Sequence, residues 1–353
     1  MVSDDVRSRA PELADLLSSV RVADLSHERE AVFAFRYSVY VEELGRGVGT
    51  VDDRRRWIRD PQDDERTTRL LFITDDHGEV SGTARISAWR PGAIPHDARL
   101  RYSLDAFTGM EQLGAGEVGR VMLLPLHRGG NGFEALIGVV YELAVSELGV
   151  DILFLTCLTG LIDRYRRSGF STYAAPLVAT VDGLTIPLVL ALSDRPHLAR
   201  VASFLLPLAE ATYGPGKRTA IDLSQWAALF EIGSGPLQLD PTVIWNRVRL
   251  RSAAGDPGAR FLAALDEATL HKLTDRGVLM NVEAGQVLTK KGLVQQELFV
   301  IIDGRYEVYD EKRVASAWWD QAKWSARSAW SPPRARWPAR CTPSTAGTGP
   351  GCR

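Results

Sequence analysis

The sequence predicts an α/β (α+β) fold in which helices flank a mixed sheet, followed by a partial C-terminal β-roll. Three observations predict it. Residues 69–89, RLLFITDDHGEVSGTARISAW, hold two β-rich runs around a polar turn ending in Gly78, the pattern of a hairpin. Residues 119–157 then place a strand, a glycine-rich bend, a helix and a wholly apolar strand in that order, which sets a parallel pair at the centre of the sheet. From Arg260 an amphipathic helix gives way to short alternating strands broken at Gly285, Gly292 and Gly304, the spacing of an antiparallel roll.

The third strand covers residues 119–124 (GRVMLL) and runs through Pro125 into the bend Arg128-Gly129-Gly130-Asn131-Gly132. The helix over 133–148 carries Leu136, Val139, Val140, Leu143 and Ala144 at helical spacing, and Gly149 is placed to end it. Residues 151–157 (DILFLTC) form the unbroken apolar run of a strand covered on both faces. A short helix over 161–167 closes at Gly169, and another strand pair turns around Asp182-Gly183. Asp194 caps a helix with Pro196 in its first turn and apolar residues through Leu208. Gly214-Pro215-Gly216-Lys217 breaks the chain, and residues 218–256 read as a connector with one or two helices.

At 353 residues the chain is long enough for two domains. Hydrophobic residues at 45% and charged residues at 24% are ordinary for a soluble globular protein. A net charge of -2 gives no reason to expect nucleic acid or an anionic membrane as partner. The three cysteines have neither metal-ligand nor disulfide-framework spacing, and the six histidines are scattered, so no metal is expected. Residues 1–17 are acidic and interrupted by Pro11, unlike a signal peptide, and the apolar run at 184–192 is too short to span a bilayer. A soluble, cytoplasmic protein is the expectation.

A glycine-rich turn between strand and helix exposes backbone N–H groups at the positive end of the helix. Arg128, Gly129, Gly130 and Gly132 therefore form either a plain structural turn or a seat for a pyrophosphate or a phosphopantetheine phosphate. The order strand, Arg-Gly loop, long helix, buried strand, then Tyr165-Arg166-Arg167-Ser168-Gly169-Phe170 resembles the GNAT superfamily of acyltransferases over residues 31–192. The loop departs from that family's pattern, since Asn131 and Phe133 stand where small residues are expected.

A particular branch is indicated by Phe35-Arg36-Tyr37-Ser38-Val39-Tyr40-Val41-Glu42-Glu43, then Asp64, then Gly82-Thr83-Ala84-Arg85, then Glu117-Val118-Gly119-Arg120, in this order. The set is similar to the autoinducer synthases and the related N-acyl amino acid synthases. That resemblance implies an acyl carrier protein thioester or acyl-CoA as donor and a small amine such as an amino acid as acceptor. It places Tyr165 beside the departing sulfur as an acid, with a half-buried core tyrosine as the plainer alternative. Main-chain amides near Val121, Met122 and Leu123 would hold the oxyanion. Attack needs a neutral amine and hence a nearby carboxylate to accept a proton. Glu117 is the candidate base, or else the partner of Arg120 or Arg85 in an ion pair. Arg36 and Arg85 either bind an acceptor carboxylate or fix Asp64 in a buried pair. The charged run at residues 52–56 with Arg59 is a solvated surface or a contact for an acidic carrier protein.

Residues 261–309 resemble the first half of a cyclic-nucleotide-binding domain, including Gly285, Gly292 and Gly304. The Gly-Glu pair and the phosphate-binding Arg of that fold do not follow, so no cyclic nucleotide is expected to bind this form. Five of the nine tryptophans lie beyond residue 316, among Arg, Pro and Ala, and this tail is expected to be disordered or non-native. Codons of high GC content for 317–330 (AWWDQAKWSARSAW), read out of register, give LVGPGEVVGEIGLV, so a frameshift near Ser316 would account for it. The expected organisation is a lead (1–20), the transferase domain (21–213), a connector (214–257), the partial roll (258–310) and the tail (311–353). The alternatives to small-molecule acylation are a cyclic-nucleotide-regulated protein acetyltransferase using acetyl-CoA and a catalytically silent regulatory protein.

Overall fold

A computed structural model describes residues 11–45, 50–173, 175, 178–180, 183–214 and 216–233, with isolated positions between 246 and 301 and short strands beyond. Two compact units are present, the first comprising Met1–Cys157, Leu161–Ala175 and Pro187–Gly233. Its elements begin with α1 (Pro11–Ser18), β1 (Arg21–Val22) and α2 (Ser26–Tyr37), which continues as a π-helical turn, Ser38–Glu43. A small hairpin, β2 (Thr50–Asp52) and β3 (Trp57–Arg59), precedes a 3-10 turn at Pro61–Asp64. The main hairpin is β4 (Thr68–Thr74) and β5 (Val80–Trp89), followed by α3 (His96–Arg101) and β6 (Ala115–Leu123). Then come α4 (Gly132–Ser146), β7 (Ile152–Leu158), α5 (Ile162–Arg167) and β8 (Ser171–Thr172). After β9 (Val178–Thr180) and the first residues of β10 (Gly183–Ala191), which belong to the second unit, the first unit closes with the rest of β10, α6 (Arg195–Arg200), α7 (Leu206–Thr212) and α8 (Ala227–Gly233).

The sheet runs β1-β4-β5-β6-β7-β10-β8, with β6 and β7 parallel and β4, β5 and β6 antiparallel to one another. Asp75 makes the β4–β5 turn by accepting N–H bonds from His77 and Glu79, while Gly78 takes the left-handed φ of +83° that a side chain would resist. On one sheet face Leu70 and Phe72 pack under α2 against Val32 and Phe33. On the other lies α4, buried almost continuously from Phe133 to Ala144 because α1 covers its outer side. Gly138 permits that contact, since a Cβ there would lie 2.3 Å from Leu17. The segment expected to be a lead thus supplies a core helix.

Two further elements differ from the sequence reading. The apolar stretch after Asp194 is two helices, not one, because Ala202 turns left-handed (φ +51°) and Pro207 starts α7. Asp194 caps α6 as expected, accepting from the His197 amide. The start of the connector is core: Trp226 is fully buried against Phe107, its indole N–H donating to the Thr108 carbonyl at 3.0 Å.

Within the second unit, β9 pairs antiparallel with the start of β10 through Thr180↔Gly183 and Val178↔Thr185. A three-stranded ladder orders β12 (Ala315–Trp319), β11 (Tyr306–Tyr309) and β13 (Arg340–Pro343). Two of these strands fall in the tail expected to be irregular. β11 is the central strand of this ladder, and both tail strands pair antiparallel with it. Most of residues 258–305, the resemblance to a cyclic-nucleotide-binding roll, and residues 320–339 lie outside the described residues. Among those described, no helix is long and apolar enough to cross a membrane.

Candidate active site

The site grows from an opening in the sheet. β6 pairs with β5 from Ala115 to Gly119 and again, past a bulge, at Met122 and Leu123. With β7 it pairs only at Ala115↔Ile152, Gly116↔Leu153 and Glu117↔Phe154, and beyond Glu117 the two parallel strands separate. The cause is a bulge opposite Thr83–Arg85, where Arg120 adopts φ +54°. A non-glycine residue there costs roughly 1–2 kcal/mol. Arg120 is held by a two-pronged bond to Asp60, Nε to Oδ2 at 2.7 Å and Nη2 to Oδ1 at 2.8 Å, and its carbonyl accepts from Thr83 Oγ1. Residues 119–122, including Val121 and Met122, are consequently part-exposed along the opened edge, with Leu123 buried at its end.

The glycine bend lies at the end of this edge. A Cβ added to Gly129 would meet nothing, and one on Gly130 would come no closer than 3.9 Å to the His127 carbonyl. Space beside these two residues is therefore open for a ligand backbone to approach. Gly132 is different, because a Cβ there would press on Ile73 and Leu123 at 2.9 and 3.0 Å. Arg128 does not reach outward. Its Nε donates to the Leu123 carbonyl, and its Nη2 grips both oxygens of Glu43 at 2.7 and 2.8 Å. Arg164 completes the loop's anchorage by donating to the carbonyls of Arg128 and Gly130, with its guanidinium 4.5 Å above the Phe133 ring. Phe133, which stands where the family pattern has a small residue, is buried in the core edge-on to Tyr165, with ring centroids 5.1 Å apart, and does not crowd the loop.

Tyr165 sits buried between Phe133 and Phe170. Burial raises its phenol well above the ordinary tyrosine value, with smaller contributions from Cys157 and Tyr40. It therefore stays protonated at any ordinary pH. Such a group is well suited to donate a hydrogen bond to sulfur as charge builds there and poorly suited to release its proton, which narrows the acid role expected from sequence. Burial likewise pushes the neighbouring Cys157 thiol up to about 12, so it is not a nucleophile.

Arg85, Ser87, Glu117 and Gly119 share one sheet face, as their pairing across β5 and β6 requires. Behind them lies a buried ionic net. Arg85 Nη1 donates to Asp60 at 2.7 Å and to Asp63 at 3.3 Å. Arg36, with none of its surface exposed, donates to Asp63 at 2.6 Å. Its Nε and Nη2 lack hydrogen-bond partners among the described residues, and Phe33 lies 5.7 Å away as a cation–π contact. Burial lowers the Arg36 guanidinium from its usual value despite Asp63. Desolvation alone would raise the Asp60 carboxyl, but the bonds and charge of Arg120, then the charges of Arg85 and Arg36, hold it at about 2.

Asp64, expected in this net, is on the surface bonded to Arg29 and Arg59. The buried partners are Asp60 and Asp63, which cap the 3-10 turn: the Asp60 amide donates to Asp63 Oδ2 at 2.7 Å. An Asp-Pro-x-Asp signature of a capped turn was present at residues 60–63 and could have found them. Arg101 had no such signal. Its Nη1 donates to both oxygens of Glu117, at 3.1 and 3.0 Å, while Arg85 stands 4.0 Å from the same carboxylate. The pairing of Glu117 with Arg120 does not form. Of the charged run at 52–56 with Arg59, residues 53–56 and Arg59 are solvent-exposed, and Asp52, half-buried, accepts from the amides of Arg54 and Arg55. Among the described residues no cluster of His, Cys, Asp or Glu is arranged to hold a metal.

Residues 31–194, somewhat under half of the chain, match the family model of the N-acyl amino acid synthase FeeM. The first unit is a mixed sheet flanked by helices, and residues 31–194 of the chain resemble that synthase model. Solved structures similar to the chain include TofI in a ternary complex with an inhibitor and MTA, at 18% identity over 54% of this chain and 99% of that one, with a TM-score of 0.41. FeeM from uncultured soil microbes is 19% identical over 54% of this chain and 96% of that one, with a TM-score of 0.39. BjaI, a CoA-dependent acyl-homoserine lactone synthase with SAM and isopentyl-CoA, is 16% identical over 60% and 96%, with a TM-score of 0.38. No curated protein matches.

Proposed function

We propose that this protein joins an acyl chain, delivered as an acyl carrier protein or acyl-CoA thioester, to the amine of a small molecule such as an amino acid. One observation carries the reading: β6 leaves β7 immediately after Glu117 and ends at an open glycine bend. The carrier's pantetheine arm enters the gap between the strands, and its phosphate lies at the N-terminal end of α4, where backbone N–H groups and the helix dipole favour an anion.

The acceptor ammonium gives a proton to Glu117, and the free amine attacks the thioester carbonyl. Amides along residues 121–123 hold the oxyanion, each such donor being worth about 3 kcal/mol in other enzymes. As the tetrahedral adduct collapses, the C–N bond is complete and the C–S bond breaks. The nitrogen sheds its second proton, the sulfur leaves as a thiol, and one proton per turnover passes to solvent. Tyr165 donates a hydrogen bond to the sulfur throughout.

Purified protein incubated with acyl-CoA or acyl carrier protein thioesters of graded length and a set of amino acids tests this by mass spectrometry. N-acyl amino acids with stoichiometric thiol release are expected. Absence of thiol release with every donor, or acylation of protein lysines alone, would overturn it.

A further inference from the structure

We infer that Arg101 is the receptor for an acceptor carboxylate and that the acceptor, by taking Arg101, frees Glu117 to act as base. The inference rests on the acyl-transfer reading above and adds the acceptor's chemical class and the residue that selects it. Four arginines line this face. Arg36 is sealed by Asp63. Arg85 is committed to Asp60 and Asp63 with its side chain 8% exposed, and Arg120 is bound to Asp60 by two nitrogens. Arg101 alone presents a substantially open guanidinium, 30% exposed against 16% for Glu117.

The charges facing Arg101 and Glu117 do not balance inside the protein. Arg36, Arg85, Arg101 and Arg120 face Asp60, Asp63 and Glu117, while the remaining carboxylate, Asp97, bonds Arg101 Nη2 from a largely solvated position. One more buried anion is favoured there, and a substrate carboxylate supplies it. The present Arg101–Glu117 contact uses a single nitrogen divided between two oxygens, a poorer arrangement than the parallel two-nitrogen fork a free carboxylate can form.

Each Glu117 oxygen keeps a further lone pair, but the bonds from Arg101 hold the carboxylate against the guanidinium, and losing them turns it toward an incoming amine. A second feature leaves room for the exchange. Gly119 lies directly in front of Glu117, and a Cβ there would come to 3.5 Å from Arg85 and 3.8 Å from Glu117 Oε1, so only the missing side chain leaves this ground open. The Arg101 backbone is steadied next door, where Tyr102 is buried and its carbonyl accepts from the Tyr173 hydroxyl at 2.8 Å. The switch is therefore a side-chain swing at a fixed Cα.

The test compares acylation of amino acids and of the matching amino acid amides by wild type, Arg101→Ala and Arg101→Lys, with whichever thioester supports turnover. Wild type is expected to prefer the amino acid. In Arg101→Ala that preference, as a ratio of kcat/KM values, falls about a hundredfold, mainly through KM for the amino acid, in line with losing a charged hydrogen-bond pair. Arg101→Lys restores part of it. Equal loss for both acceptors in Arg101→Ala, or no preference in wild type, overturns this inference while leaving acyl transfer intact. No turnover of either acceptor by wild type overturns the acyl-transfer reading and this inference with it.

Discussion

Asp63 and Asp64 are adjacent in the chain, and the same arginine–carboxylate chemistry serves each of them differently. Asp63 points inward and binds two guanidiniums with none of its side chain exposed, while Asp64 lies at the surface between Arg29 and Arg59 with 47% exposed. In water such a pair gains little, whereas inside the protein each charge depends on its partner because neither can be solvated. The difference teaches that direction on a turn, and not residue type, decides which charge is locked into the buried net.

The largest expected effect sharpens that contrast. Asp63→Ala leaves Arg36 charged and buried with no carboxylate, and should cost about 3–5 kcal/mol, whereas Asp64→Ala should cost under about 1 kcal/mol. Urea unfolding of both variants measures the gap, and equal losses would break the distinction. Next comes Glu117→Gln, which keeps the shape but cannot take a proton; kcat should fall about 100-fold or more with the fold intact by circular dichroism.

A pH effect of intermediate size follows from Asp60. Its folded carboxyl is lowered to about 2 from 3.8, so the folded state binds its proton less readily than the unfolded chain. Its contribution, about 2 kcal/mol, is present in full above the unfolded value near 4 and is lost as pH falls through about 2. Acid unfolding of Asp60→Asn should lack this component while starting from lower stability at neutral pH. The smallest effect belongs to Tyr165→Phe, which keeps the ring packing; kcat should drop about 10-fold. Because burial keeps the phenol protonated, the alkaline limb of the pH–rate profile should be the same in both proteins, and a limb lost on substitution would show that Tyr165 titrates.

Much of this was legible without coordinates. The β4–β5 hairpin, the glycine bend, α4 and the β6–β7 parallel pair follow from short-range patterns: Asp75 and Gly78 in the turn, helical spacing through Leu143, and the apolar run of β7. Glu117, Arg85, Arg120 and Arg36 were also picked out; Glu117 and Arg85 share a sheet face, while Arg120 of the bulge and Arg36 of α2 bond to Asp60 and Asp63. Asp60 was missed because its importance lies in reaching Arg120, sixty positions away in sequence. Arg101 was missed because, as the last residue of the short helix α3, it meets Glu117 only across sixteen positions of sequence. Trp226 was left in a connector because nothing local shows that Phe107 and Phe154 form a pocket for it.

What the sequence determined by itself is the order of elements and the supply of chemical groups, since backbone propensity, turn residues and hydrophobic period act over a few neighbours. Only the tertiary structure decided which carboxylate each arginine meets, that Tyr165 is locked in its protonated form, and that Phe133 turns inward and clears the loop. Those outcomes depend on burial and on partners far apart in the chain, and neither desolvation nor long-range pairing is written in any local stretch of residues.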